Sequence, residues 1–121
     1  MTRMKPKASS DVYLRFLQLA EAIRGLPSLP PLDPLEERIL SWVARAAQRE
    51  ERLSVRDMMA REEFGAPATI HGRLKSMREK GWITLADTED ARRKQVALTR
   101  DAVKHFERLS RCMVQAAKSA T

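Results

Sequence analysis

The chain has 121 residues, 43% of them hydrophobic, and no apolar run near the ~20 residues that span a bilayer, so it reads as one compact cytoplasmic domain with no membrane partner. Its formal net charge of +7 favours a polyanionic partner such as nucleic acid, and the few aromatics (5%) argue for duplex over single strand. One cysteine, Cys112, excludes an internal disulfide framework; with only two histidines no zinc cluster can assemble, and no cofactor is expected.

Residues 1–9 read as a flexible basic tail, and no apolar segment follows that would make it a secretory signal. Residues 10–121 form a single domain in three parts. The first, 10–33, is a helix and a proline-rich connector. Ser10 caps a helix from about Asp11 to Arg24, which Gly25 ends. Val12, Phe16, Leu19 and Ile23 make its apolar stripe, and Tyr13, Leu14 and Leu17 widen it enough to need a second partner, such as another subunit. Four of the six prolines fall in 26–34, giving a stiff extended connector.

The second part, 34–99, opens with a strong helix start: Asp33 as N-cap, Pro34 at the first position and Glu36 as capping-box carboxylate. That helix runs to about Glu50 with Leu35, Ile39, Trp42, Val43 and Ala46 inward. Ser54 caps a short helix carrying Val55, Met58 and Met59, and Phe64-Gly65 turn the chain. Ala66, a poor cap, precedes Pro67, which opens the next helix. Ile70, Leu74 and Met77 give this helix one buried face, and the other carries Ala68, Thr69, His71, Gly72, Lys75 and Ser76 with Arg73 and Arg78 at its edges. Gly81 stops it. Ile83 and Leu85, then Val96 and Leu98, alternate as two half-buried strands around a charged tip, DTEDARRK. The third part, 100–121, is a helix capped by Thr99, about Arg100 to Lys118, with Val103, Phe106, Leu109 or Ser110, Met113 and Ala117 as its stripe.

The fold class that follows is mainly α with a small β-hairpin wing: a winged helix-turn-helix flanked by N- and C-terminal dimerisation helices. In such a fold the second helix enters the major groove. Gly72 stands mid-helix, where it costs up to about 1 kcal/mol relative to Ala, and with Ala68 it leaves the outer face free of bulk. Thr69 and His71 can donate to or accept from base edges or phosphates, while Arg73 and Lys75 can reach guanine or phosphate. Ser54 and Pro67, at the starts of the two helices, complete this candidate DNA-binding set. At the hairpin tip lie Arg92, Arg93 and Lys94; an arginine there can enter a narrow A·T-rich minor groove, with Asp90 placed to orient it. No Ser/His/Asp or Cys/His arrangement and no glycine-rich phosphate loop suggests an enzyme, and His105 reads as part of a packed or dimer face.

From Leu53 to Thr99 the chain resembles the MarR (multiple-antibiotic-resistance regulator) family of bacterial transcription factors. Asp90-x-Arg92-x-x-x-Val96-x-Leu98-Thr99 is similar to that family's wing motif. Thr69-Ile70, Leu74-Lys75, Met77 and Lys80-Gly81-Trp82-Ile83 are similar to its recognition helix and the exit from it. The resemblance implies a transcriptional regulator that binds a pseudo-palindrome as a homodimer, with Arg92 in the minor groove and the helix around Thr69–Lys75 in the major groove. It also implies that the first and last helices (11–24 and 100–118) make the dimer. Many members bind small aromatic ligands between those helices and the DNA-binding lobe, but nothing in this sequence identifies a small-molecule effector. The chain departs from the family at Gly72, often a long polar residue, at Ala102, usually glycine, and near Glu62-Glu63, where one residue is extra. It also shows one helix after Thr99 where members carry a further one. The alternative to a regulator is a non-regulatory winged-helix interaction module, such as a phage or plasmid replication or partition accessory protein.

Overall fold

A computed structural model describes residues 8–23, 29–87 and 94–119. The elements are α1 (Ala8–Ile23), α2 (Pro34–Gln48), α3 (Val55–Met59), a 3₁₀ turn (Glu62–Phe64), α4 (Pro67–Glu79), β1 (Ile83–Asp87), β2 (Lys94–Leu98) and α5 (Arg100–Ser119). They divide into two compact units. One is residues 29–103, and the other combines residues 1–28 with 104–121.

Within 29–103, α2 starts as its sequence requires. The Asp33 carboxylate accepts the Glu36 amide at 2.8 Å and the Glu36 carboxylate accepts the Asp33 amide at 3.0 Å. The helix ends earlier than Glu50. Glu50 adopts φ +55° just past the end, and the Glu50 and Glu51 amides bond back to the Ala47 and Ala46 carbonyls. This is a left-handed cap built without glycine, so no sequence signal marks it. Ile39, Val43 and Ala46 are buried as the periodicity requires, joined by Leu40, while Leu35 and Trp42 are half-buried.

A second capping box starts α3: Ser54 Oγ accepts the Asp57 amide at 3.0 Å, and the Asp57 carboxylate accepts the Ser54 amide at 3.2 Å. A 3₁₀ turn before α4 carries Phe64, which stacks on Trp42. The rings stack at 4.9 Å and 7°, and the guanidinium groups of Arg38 and Arg61 cover Phe64 and Trp42 respectively. Aromatic stacking and cation–π contact each add stability of order 0.5–1.5 kcal/mol. Phe64→Ala should therefore lower unfolding free energy by about 2 kcal/mol in urea titration, with proteolysis between α3 and α4 enhanced.

Helix α4 buries Ile70, Leu74 and Met77 against α2, α3 and β1. It closes on Gly81 at φ +87°, with the Gly81 amide bonded to Arg78 and the Trp82 amide to Met77. The strands pair antiparallel with Ile83 opposite Leu98 and Asp87 opposite Lys94; Ile83 and Val96 are buried, Leu85 and Leu98 half-buried. Leu53 adds a carbonyl to this ladder, accepting the Val96 amide at 2.7 Å. At the base, Thr99 Oγ1 donates to the Gly81 carbonyl at 2.6 Å and accepts the Ala102 amide at 3.0 Å, which fixes the start of α5.

The two flanking helices depart from the periodicity reading in detail. Helix α1 begins at Ala8, so Ser10 lies inside it and is not its cap; Arg24 and Gly25 lie outside the described residues. On α5 the buried positions are Ala102, Cys112 and Ala116, with His105, Phe106 and Leu109 half-buried. The expected Val103, Ser110, Met113 and Ala117 are exposed. The true stripe is rotated by about one residue, because the close-packed positions take small side chains while large ones drew the prediction.

Candidate nucleic-acid interface

The sequence points to twelve interface residues, and nine of them lie among the described residues; Asp90, Arg92 and Arg93 lie outside. On α4, Pro67, Ala68, Thr69, His71, Gly72, Arg73 and Lys75 are all exposed, because the buried Ile70/Leu74/Met77 stripe turns them outward. A methyl group placed on Gly72 would meet nothing within 4 Å among the described residues, so no contact with them explains a glycine there. Ala66 gives no side-chain cap, and α4 therefore presents its first-turn amides without a side-chain acceptor from that position.

The polar and basic side chains of α4 separate onto two flanks. His71, Lys75 and Arg78 recur at i, i+4 and i+7 on one of them, facing a groove of about 690 Å³ between α3, α4 and the hairpin. Arg56 from α3 and Lys94, the first residue of β2, complete its charged rim, while Val55, Met59, Leu74 and Leu85 give it an apolar floor. Among the described residues no acid lines it. Four formal positive charges that share one concavity reinforce each other's field and favour an anionic strand running through it. Nothing in the sequence marks Arg56 for this role. Its spacing is unremarkable on a five-residue helix, and only the fold brings it to the same groove as Lys75.

Arg73 takes the other flank. Its Nη1 lies 3.0 Å from Asp33 Oδ2, and further along the same flank Lys80 Nζ lies 2.9 Å from Glu36 Oε1. Glu36 is 1% exposed. Burial pushes its carboxyl up, but hydrogen bonds from the Asp33 amide and the Lys80 ammonium outweigh that and hold it below the ordinary carboxylate value. Ser54 is half-buried, and its hydroxyl oxygen is engaged as the α3 cap. On α5, burial and the neighbouring Arg108 lower the His105 pKa, and its ring lies 6.3 Å from Phe106. Among the described residues no three His, Cys, Asp or Glu side chains are grouped to hold a metal ion. No described helix is long and apolar enough to cross a membrane.

No protein-family model matches the chain, and no curated protein matches its sequence. Solved structures do match in fold. Staphylococcus aureus MepR bound to ethidium bromide aligns with a TM-score of 0.61 and 16% identity over 89% of this chain and 74% of that one. A MepR–DNA complex gives 0.59 and 18% over 92% and 76%, and the transcriptional regulator Tm0710 from Thermotoga maritima gives 0.59 and 15% over 89% and 68%. This chain shares the winged-helix fold of those structures.

Proposed function

We propose, from that shared fold, that this chain is a sequence-specific double-stranded DNA-binding transcriptional regulator of MarR type, with α4 in the major groove. The observation that carries the reading is the pairing of a bare outer face on α4, at Ala68 and Gly72, with a groove rimmed by Arg56, Lys75, Arg78 and Lys94. Thr69, His71 and Lys75 then meet base edges, and the groove cations hold the phosphate strand beside them. Arg92 at the wing tip reads the neighbouring minor groove, with Asp90 orienting it and Arg93 beside it; this part rests on the sequence motif alone.

The reading includes a homodimer through α1 and α5. Val12, Tyr13, Leu14 and Leu17 are exposed on α1, and Met113 and Val114 on α5, an apolar surface that a second copy would cover. A dimer spaces its recognition helices about 34 Å apart, one turn of duplex. Leu17→Glu should shift the mass measured by light scattering from dimer toward monomer and weaken operator binding in parallel.

Selection of bound duplexes from a random pool tests the function. An enriched, inverted repeat with half-sites one turn apart is the expected result; a monomer that enriches no motif would point to an interaction module instead. On the selected duplex, Arg56→Ala should weaken binding alike on all sequences and reduce the slope of log affinity against log salt by about one, as loss of one phosphate contact does.

A further inference from the structure

The capping box that starts α2 does more than start it. Asp33 directs one carboxylate oxygen to the Glu36 amide at 2.8 Å and the other to Arg73 at 3.0 Å. Glu36 Oε1 accepts both the Asp33 amide at 3.0 Å and the Lys80 ammonium at 2.9 Å. Two acids one turn apart at the N-terminus of α2, where the helix dipole favours negative charge, thus face two cations two turns apart on one flank of α4. The strand-entry residue behind them is tied to the segment before α2 as well, since Trp82 Nε1 donates to the Pro30 carbonyl at 2.7 Å.

We infer that Arg73 and Lys80 are positioning residues: they fix the stance of α4 against the start of α2, and Arg73 affects DNA only through Asp33. This rests on the DNA-binding reading and revises one residue of it, because composition alone places Arg73 against the duplex. The charge that meets DNA comes from the opposite flank, at Lys75. The Arg73–Asp33 pair, with side chains 44% and 33% exposed, carries little stability of its own, but it restricts the angle at which the α4 backbone is offered to a groove.

The test is binding to the selected duplex across a salt series, with Asp33→Asn, Arg73→Gln and the double variant, all well below their unfolding temperatures. The Asp33→Asn change keeps an acceptor for the Glu36 amide, so α2 retains its cap while Arg73 loses its charged partner. A positioning role predicts that each single variant weakens binding on the order of three- to fivefold. The double variant should be no worse than either, and the salt slope should be unchanged. Arg73→Lys should recover affinity when Asp33 is present and fail to do so in the Asp33→Asn background, a dependence that loss of packing would not produce. A direct phosphate contact predicts otherwise: Arg73→Gln lowers the slope by about one, and Asp33→Asn leaves binding unchanged or tightens it. That result, or no effect from either variant, overturns the inference while leaving the DNA-binding reading intact. An unaltered protein that binds no duplex overturns both.

Discussion

Gly72→Glu should abolish operator binding without disturbing the fold. The position is exposed and a methyl group there meets nothing within 4 Å among the described residues, so a longer side chain has room beside them. Against a phosphate-lined groove it would place a negative charge at the closest point of approach. Like charges brought together at an interface cost several kcal/mol, so affinity should fall on the order of 100-fold or more, with circular dichroism and unfolding temperature retained. Gly72→Ala separates the two roles of the site. It should raise unfolding free energy by up to about 1 kcal/mol, as a better helix former, and weaken DNA binding where the backbone needs the space. Opposite signs in stability and affinity would mark a glycine kept for approach and not for folding. A Gly72→Glu protein that binds as well as the unaltered one would take α4 out of the groove.

Lys80→Met carries the second large effect. It strips the ammonium from the Glu36 carboxylate, 1% exposed, while the Asp33 amide still donates to it. Breaking a buried pair from one side costs about 3–5 kcal/mol, and the partly exposed ammonium here (28%) places the loss nearer about 2–3 kcal/mol at neutral pH. The pH dependence has a defined sign. Because the folded protein holds Glu36 below its ordinary value of 4.5, the ionised pair stabilises the unaltered protein above about pH 4.5. That stability is lost as pH falls through the lowered folded value. In Lys80→Met the carboxyl loses a partner that lowered it, so the gap between the two proteins should narrow as the solution is taken from neutral into the acid range. Urea unfolding at a series of pH values measures this, and a gap that stayed constant or widened in acid would show that the pair contributes nothing through its charge.

What the sequence made legible was local. Asp33-Pro34 and Glu36 announce the start of α2 through bonds that span three residues, and Ile70, Leu74 and Met77 orient α4 through one helical period. The alternation of Ile83, Leu85, Val96 and Leu98 likewise places the hairpin, whose register pairs Ile83 with Leu98. What stayed hidden was the second use of residues whose first use was already sufficient. Glu36 is fully accounted for as a capping-box acid, and nothing in its neighbours reveals the ammonium of Lys80. Arg73 has the composition of a DNA contact, yet Asp33, distant in sequence, claims its charge. The left-handed Glu50 and the Phe64–Trp42 stack escaped for a related reason: both answer to geometry set by the packing of α2, with no residue type that signals them. At the interface the exposed face of α4 was readable, whereas Arg56 joined it only when α3 and the hairpin enclosed one groove.

The most direct test of α4 as the reading element is dimethyl sulfate footprinting of the selected duplex, since the reagent attacks guanine N7 on the major-groove edge. The reading predicts two patches of N7 protection about 10 base pairs apart, both lost in Gly72→Glu. Tight binding with every guanine N7 still reactive would contradict it, leaving a protein that grips the phosphate backbone without entering the groove.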